Sequence, residues 1–134
     1  MIDTVRLSEK ARVQLLSLKR RTGLQHWNVL CRWAFCLSLS EPSVPPKETI
    51  PADSSVEMTW KVFTGGQEDI YMALLLARAK QDEVAIDKEN ILEYFRLHLH
   101  RGISYAHGSS SLRSVADLGR LAIKKVNETE VRAS

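Results

Sequence analysis

The sequence lacks the motifs that mark most enzymes and metal proteins. Its 134 residues include only two cysteines, Cys31 and Cys36, which do not form a C-x-x-C pair and have no second pair to complete a zinc site. Gly65-Gly66 is not followed by the Gly-Lys-Ser/Thr of a phosphate-binding loop. No Ser-His-Asp or Cys-His set stands out. We therefore expect a binding protein with no catalytic residues, no bound metal and no cofactor.

Long apolar runs are also missing. No segment reaches the ~20 apolar residues that a helix needs to cross a bilayer, and the most apolar stretch, residues 27–39, is interrupted by Arg32. The N-terminus has no small-residue cleavage site of a signal peptide. On one helix Cys31 and Cys36 would point about 140° apart, which disfavours a disulfide. We expect buried, reduced thiols, a cytoplasmic location and no membrane partner.

Positive charge is concentrated at the two ends of the chain, although the net charge is only +3. Residues 1–40 hold seven Lys or Arg against two Asp or Glu, and residues 101–134 hold six against three. Residues 41–100 have an acidic balance. This asymmetry indicates an anionic partner, with nucleic acid the first candidate. The alternative is an ordinary solvated helix face.

Residues 1–40 follow the order of a ribbon–helix–helix unit. An extended start, residues 2–7, precedes Ser8, which predicts the N-cap of a helix over 9–21. Thr22-Gly23 ends that helix, and a second helix is predicted over about 25–40. The fold class predicted from this opening is all-α: a compact helical domain with a ribbon–helix–helix-like N-terminal unit and short extended segments.

The remainder of the chain predicts more helices after a connector. All four prolines lie in residues 41–55, which cannot form a helix. Residues 56–64 alternate as a short strand does, with a helical turn as the alternative. A third helix is predicted over 67–82. Its apolar stripe would be Ile70, Leu74 and Ala77, broadened by Tyr71, Met72, Leu75 and Leu76.

Two final helices complete the prediction. One begins after Asp87 as N-cap and ends near Arg101-Gly102, and a short one covers 112–123. Residues 124–134 are polar and are predicted to form a flexible tail. The predicted division is therefore one helical DNA-binding domain over 1–123, followed by the tail over 124–134.

The second predicted helix is apolar on nearly every side. A helix of this kind must be buried all round, and one chain of this size can hardly enclose it. We therefore predict a subunit interface there. The alternative is a central core helix inside a monomer. The predicted interface residues are Trp27, Leu30, Trp33 and Phe35.

Basic side chains on the first helix are the best candidates for contact with DNA. Arg12 and Lys19 are seven residues apart and therefore share one helix face. Cations spaced along a rigid helix can contact successive phosphates, which positions a protein on DNA without reading its sequence. The predicted DNA-binding residues are Arg6, Lys10, Arg12, Lys19, Arg20 and Arg21.

Three stretches together resemble the DndE family of DNA sulfur modification proteins. They are VRLSEKARVQLLSLKRRTGLQHWNVLCRWAFCLSL, TWKVFTGGQEDIYMALL and LHLHRGISY, and the resemblance covers residues 1 to about 121. It implies a role in DNA phosphorothioation, where sulfur replaces a non-bridging phosphate oxygen. The implied partners are an iron–sulfur protein and an ATPase of the same machinery. The resemblance also implies a helical homotetramer that prefers nicked double-stranded DNA and uses surface lysines.

The residues and the resemblance together predict a non-catalytic DNA-binding subunit of the phosphorothioation machinery. The main alternative is a ribbon–helix–helix repressor of a specific operator. It is weakened because the strand face of Ile2, Thr4 and Arg6 offers only one good base-reading side chain. A nuclease acting at nicks and a protein-only scaffold are the other two alternatives.

Overall fold

Helices dominate the architecture, with one small sheet. The computed structural model describes residues 1–109, 116–117, 119–120 and 123. The elements in chain order are β1 (Thr4–Arg6), α1 (Glu9–Thr22), α2 (Trp27–Ser40), β2 (Glu57–Thr59), α3 (Trp60–Thr64), α4 (Glu68–Gln81) and α5 (Lys88–Gly108). Most of the helix predicted over 112–123, and the whole predicted tail over 124–134, lie outside the described residues.

Local capping signals fix three helix ends as predicted. The Ser8 hydroxyl accepts from the Ala11 N–H at 3.1 Å, and Gly23 ends α1 with a φ of 77°. Asp87 accepts from the Asn90 N–H at 3.0 Å and starts α5. The segment over 56–64 combines both predicted alternatives, because β2 runs directly into α3 with Thr59 as the N-cap.

The ribbon–helix–helix detail of the predicted fold is not confirmed. β1 pairs antiparallel with β2 of the same chain, in the register Thr4 to Thr59, Val5 to Met58 and Arg6 to Glu57. In a ribbon–helix–helix repressor a β-ribbon reads the DNA groove. Here the first strand already has an intramolecular partner, and this geometry does not favour the repressor alternative.

The core is built around α2 and α5, which pack closely along their length. Phe35 is fully enclosed, with its ring centroid 5.3 Å from Phe95 and 5.8 Å from Phe63. Trp60 lies 5.2 Å from Phe95 and closes the aromatic cluster. Offset and edge-to-face contacts at these separations stabilise a core beyond the burial of area alone. α2 is therefore a central core helix, which was the alternative to the predicted interface.

Gly102 does not end α5, contrary to prediction, and the helix continues to Gly108. The reason is a close approach between backbones. A Cβ at position 102 would lie 1.7 Å from the Ala34 carbonyl oxygen of α2. Glycine is therefore required inside this helix by packing, although it lowers helix propensity by about 1 kcal/mol relative to alanine.

The centre of the apolar stripe predicted for α4 is wrong, whereas Leu75 and the other residues predicted to broaden it lie in or against the core. Ile70 is 56% exposed and Leu74 44% exposed, and Ala77 is exposed as well. The buried residues of α4 are Leu75, Arg78 and Ala79. α4 packs against α5 and α3, and Arg78 reaches the end of α2 and the connector. α4 carries apolar residues on both sides. The side that packs into the core is not the side that carries Ile70, Leu74 and Ala77.

Candidate nucleic-acid interface

Three cations on α1 have neither a hydrogen-bond nor an ion-pair partner among the described residues. Lys10 and Arg20 are exposed, and Lys19 is partly exposed. Lys10 and Lys19 are nine residues apart, which corresponds to a rise of roughly 14 Å along the helix. The buried residues of α1, including Ala11, Leu15 and Leu18, pack against α2 and α5. Arg20 projects from the opposite side of the helix, and Lys10 and Lys19 lie on its two flanks. The packing thus directs positive charge outward on a rigid support.

The other three predicted DNA-binding residues are engaged within the chain. Arg6 pairs across the sheet with Glu57 at 2.6 Å, and Arg12 donates from Nε to the Glu9 carboxylate at 2.8 Å. This hydrogen bond lowers the pKa of Glu9 below its ordinary value. Arg21 donates to the carbonyl oxygen of His107 at 2.9 Å, near the end of α5. Contact with phosphates would require these three side chains to leave their present partners.

The predicted subunit-interface residues fall into two groups. Leu30 is 2% exposed and Phe35 is 0% exposed within one chain, so neither has surface left to bury against a second copy. Their assignment to an interface is corrected accordingly. Trp27 and Trp33 are only partly buried and pack against the edge of the core. Trp27 also lies beneath Lys19, whose Nζ is 4.4 Å from the ring centroid, a cation–π distance.

A cleft beside Lys10 separates α1 and α5 from the proline-containing connector. Its volume is about 620 Å³. Lys10 and Arg101 bring positive charge to it, and Glu48 and Asp53 bring negative charge. Asp53 already accepts from the Glu9 N–H at 2.7 Å. Because the charges balance, the cleft is not a second anionic-ligand site, and the cationic surface ends at its rim.

Two arginines that the sequence interpretation missed, the buried Arg78 and the half-buried Arg101, hold the connector against the helices through hydrogen bonds. Arg78 donates to the carbonyl oxygens of Leu39, Glu41 and Ser43 at 2.7–2.9 Å, and its Nε lies 2.9 Å from Asp82. Arg101 donates to the Ser38 hydroxyl at 2.8 Å and also holds the carbonyl of Ser43. The Arg78–Asp82 spacing of four residues was the available signal. Both guanidinium groups therefore have structural roles.

The two histidines of α5 are buried and structural. His98 Nδ1 lies 2.7 Å from the Ser38 hydroxyl, and His100 Nε2 accepts from the Ser8 N–H at 3.1 Å. Burial lowers the pKa of His98 to about 3 and that of His100 to about 4, so both rings are neutral at neutral pH. The Ser38–His98 pair is fully enclosed and accepts from Arg101, so no substrate can reach it.

The structure also shows the surroundings of Arg32 and of the two cysteines. Arg32 donates to the Phe63 carbonyl at 2.9 Å, near the C-terminus of α3, where basic side chains commonly satisfy the last carbonyl groups of a helix. Cys31 is buried, and burial raises the pKa of its thiol to about 12. Cys36 is exposed, contrary to the prediction that both thiols are buried, and both cysteines are free.

Within the described ranges, no three His, Cys, Asp or Glu side chains are grouped to hold a metal ion. None of the described helices combines the length and the apolar character needed to span a membrane. Among the residues described, Lys10, Lys19 and Arg20 of α1 are the predicted DNA-binding cations that have no hydrogen-bond or ion-pair partner.

Comparison with known proteins places the chain in a recognised family. The profile described as "DNA sulphur modification protein DndE" matches residues 4–114, which is most of the chain. A search of curated proteins finds no match.

Solved structures share the fold. A crystal structure of DndE from Escherichia coli B7A, involved in DNA phosphorothioation modification, superposes with a TM-score of 0.65 at 20% sequence identity, covering 78% of this chain and 97% of that one. A DndE G21/24K mutant involved in DNA phosphorothioation superposes with a TM-score of 0.61 at 17% identity, covering 78% and 96%. At these identities the likeness concerns the fold.

Proposed function

The chain belongs to the DndE family of DNA sulphur modification proteins, and we propose on that premise that it is a non-catalytic DNA-binding subunit of the phosphorothioation machinery. The observation that carries the proposal is the α1 surface, where Lys10, Lys19 and Arg20 face outward without carboxylate partners. Three such cations on one rigid helix suit the phosphate backbone, and each contact releases counterions from DNA.

The contact is proposed to be with backbone phosphates rather than base edges. Lysine and arginine reach phosphates from a helix that lies across the backbone, whereas base reading requires side chains inserted into a groove. β1 offers few such side chains, because Ile2 is buried and Arg6 is paired with Glu57. Such a protein recognises the form of the duplex rather than its sequence.

Nicked double-stranded DNA is the proposed preferred substrate, following the family resemblance. A nick removes one backbone linkage and lowers the energy needed to bend or separate the flanking duplex arms. A rigid cationic helix can then hold phosphates on both sides of the break at less deformation cost. The same contacts to an intact duplex would require the DNA to bend against its stiffness.

The remaining partners are proposed from the same resemblance. They are further copies of this chain, as a homotetramer, and the iron–sulfur protein and ATPase of the machinery, all in the cytoplasm. Of the residues predicted for self-association, Trp27 and Trp33 retain exposed surface. Tryptophan is strongly enriched among the residues that contribute most to interface energies.

A charge-reversal experiment tests the DNA-binding proposal. Lys19→Glu combined with Arg20→Glu should weaken binding to a nicked oligonucleotide duplex by roughly tenfold or more, since two phosphate contacts become repulsions. The matched control is Lys47→Glu combined with Lys61→Glu, which changes net charge equally at two exposed lysines outside α1. Affinity is measured by fluorescence anisotropy on nicked and intact duplexes.

The control separates specific contact from overall charge. The proposal expects the α1 variant to lose much more affinity than the control, and expects the native protein to bind the nicked duplex more tightly than the intact one. Equal losses in both variants would contradict the α1 surface. DNA binding too weak to detect in the native protein would favour the scaffold alternative instead.

A further inference from the structure

A groove beside the N-terminal half of α5 combines an apolar floor with an acidic rim. Its volume is about 410 Å³, and its two walls are α5 and the connector. The apolar surface comes from Ile50, Leu92 and Leu97; Leu97 is buried at 7% exposed, whereas Leu92 is 36% exposed. We call this the α5 groove, and its remaining lining residues are Glu48, Thr49, Glu89, Glu93 and Arg96.

The outer part of the groove lies on one face of α5. Leu92 and Glu93 follow Glu89 by three and four residues, so the three side chains are neighbours on adjacent turns of the helix. All three are exposed, and a ligand can therefore reach them from solvent. An aliphatic group placed against Leu92 would lie close to both carboxylates.

Arg96 holds the opposite wall of the groove in place. Its guanidinium donates to the carbonyl oxygens of Ile50 at 2.6 Å and of Pro51 at 3.2 Å. It also donates to the carbonyl oxygen of Arg6 at 3.0 Å. These bonds fix the connector against α5 in the free protein, so a ligand would not have to bear the entropic cost of ordering that wall.

The rim of the groove carries unbalanced negative charge. Its three glutamates have no hydrogen-bond or ion-pair partner in the described ranges, and with one arginine the lining residues have a net charge of −2. Lys47 and Lys88 are close in sequence but do not line the groove. The glutamates are not grouped as metal ligands in the described part of the chain. Separate carboxylates around an apolar floor suit lysine or arginine, whose aliphatic stems lie on apolar surface while the charge stays at the rim.

We propose that the α5 groove docks a segment of a partner protein that carries lysine or arginine on both sides of an aliphatic side chain. The aliphatic side chain packs on Ile50 and Leu92. The flanking cations pair with Glu48 on the connector and with Glu89 and Glu93 on α5. An apolar centre with a charged rim is the usual anatomy of a protein interface. The inference rests on the proposed function in one respect: the partner is another protein of the same machinery, because proteins that handle DNA carry basic segments.

The α5 groove leaves the proposed DNA contact free. None of its lining residues belongs to α1, which carries the three unpaired cations. The groove adjoins the cleft beside Lys10 and shares Ile50 and Leu97 with it. Its negative charge repels phosphates and attracts a basic segment. One subunit can thus hold DNA on α1 and a partner protein in the groove at the same time.

Fluorescence anisotropy with a labelled synthetic peptide tests the inference in the absence of DNA. The probe is AKKLAKKLAKKA, and the comparison peptide AKKSAKKSAKKA has the same charge with serine in place of leucine. At an ionic strength of about 0.15 M the native protein should bind the leucine peptide roughly tenfold more tightly than the serine peptide. Equal affinity for the two peptides, or no detectable binding of either, would overturn the inference.

Neutralising the rim tests the charge complementarity. Glu89→Gln combined with Glu93→Gln should weaken binding of the leucine peptide by roughly fivefold or more, because two ion pairs are lost. The matched control is Glu68→Gln combined with Asp69→Asn, which removes the same charge from exposed positions at the start of α4. That control should bind as the native protein does. Equal losses in the two variants would show that the peptide follows overall charge, and the docking site would be refuted.

A substitution in the floor tests the apolar contact. Leu92→Ser should weaken binding of the leucine peptide and leave the serine peptide unaffected, so that the difference between the two peptides shrinks. Val13→Ser, at a 53% exposed position on α1, is the matched control and should keep the native difference. A Leu92→Ser variant that still distinguishes the peptides as the native protein does would overturn the inference.

Two further measurements separate the possible occupants and the two proposals. Residues 121–126 of this chain also place two lysines beside aliphatic side chains. Tighter peptide binding by Lys124→Gln combined with Lys125→Gln would assign the groove to the chain's own segment and overturn the external partner. The Glu89→Gln, Glu93→Gln variant should bind the nicked duplex with native affinity. Peptide binding by a native protein that does not bind DNA would contradict only the α1 assignment.

Discussion

α2 and α4 are both 14-residue helices with largely apolar sequences, yet they occupy opposite positions in the molecule. α2 lies between α5, α3 and α1, and its Leu30, Ala34 and Phe35 are enclosed. α4 packs only one side against α5 and α3, and leaves Leu74 outside while Arg78 is buried. Apolar composition therefore does not determine burial; the neighbours available to each face do.

The difference follows from the residues that lie at each helix–helix or helix–connector contact. α5 presents Gly102 to α2, which allows the two backbones to approach closely. α4 presents Arg78 to the connector, where three carbonyl oxygens accept its hydrogen bonds. A buried arginine with complete hydrogen bonding is tolerated, and its removal would leave those carbonyls unsatisfied. The side of α4 that carries Arg78 thereby becomes the inner side.

Substitution at the α2–α5 contact should cause the largest loss in the free energy of unfolding. Gly102→Ala places a Cβ 1.7 Å from the Ala34 carbonyl oxygen, so the helices must separate. We expect a loss of about 4 kcal/mol or more in the free energy of unfolding, measured by urea denaturation. Gly108→Ala in the same helix is the control, because its Cβ would meet nothing within 4 Å. Equal stability of the two variants would refute the close approach.

Two adjacent leucines of α4 provide the sharpest test of which side is buried. Leu75 is 0% exposed and Leu74 is 44% exposed. Leu75→Ala should cost about 2–5 kcal/mol in the free energy of unfolding, as is typical of a buried leucine. Leu74→Ala should change it by less than about 0.5 kcal/mol at protein concentrations where the chain is monomeric. A larger loss for Leu74→Ala than for Leu75→Ala would instead support the stripe predicted from the sequence.

Acid should weaken the polar contacts of α5 with α2 and with the start of α1. The pKa values of His98 and His100 are lowered from 6.5 to about 3 and about 4 by burial, so the unfolded chain binds protons that the folded chain does not. Stability is complete above pH 6.5 and is lost as the pH falls toward 4. We expect a loss of about 1.4 kcal/mol per pH unit for each histidine.

Urea denaturation at pH 7.0 and 5.5 measures this effect while most carboxylates stay ionised. His98→Gln should be less stable than the native protein at pH 7.0 but should show a smaller change between the two pH values. His26→Gln, at an exposed position, should keep the native change. A native protein with the same stability at both pH values would contradict the neutral, buried state of the two rings.

Features that depend on neighbouring residues were predictable from the sequence, and those set by distant contacts were not. Ser8, Gly23 and Asp87 cap helices through backbone groups within four residues, so their roles were predicted correctly. The end of α5 was wrong because Gly102 was interpreted as a helix stop, when its role is set by Ala34, far away in the chain. The choice between the two apolar sides of α4 likewise depended on α3 and α5.

The same difference between local and distant contacts applies to the candidate DNA-binding residues. The concentration of positive charge on α1 could be counted from the sequence, and the Glu9–Arg12 pair was available from its spacing of three residues. The pairing of Arg6 with Glu57 depends on the β1–β2 register, which links residues 51 positions apart. The structure therefore reduces six predicted cations to three without a hydrogen-bond or ion-pair partner in the described chain, namely Lys10, Lys19 and Arg20.

The salt dependence of DNA affinity tests the central claim most directly. For the native protein and for a Lys10→Gln, Lys19→Gln and Arg20→Gln triple variant, the logarithm of the association constant for a nicked duplex is plotted against the logarithm of salt concentration. Each phosphate contact contributes about one unit of slope, so the triple variant should show a slope shallower by about three units. An unchanged slope would contradict the assignment of DNA binding to these three side chains of α1.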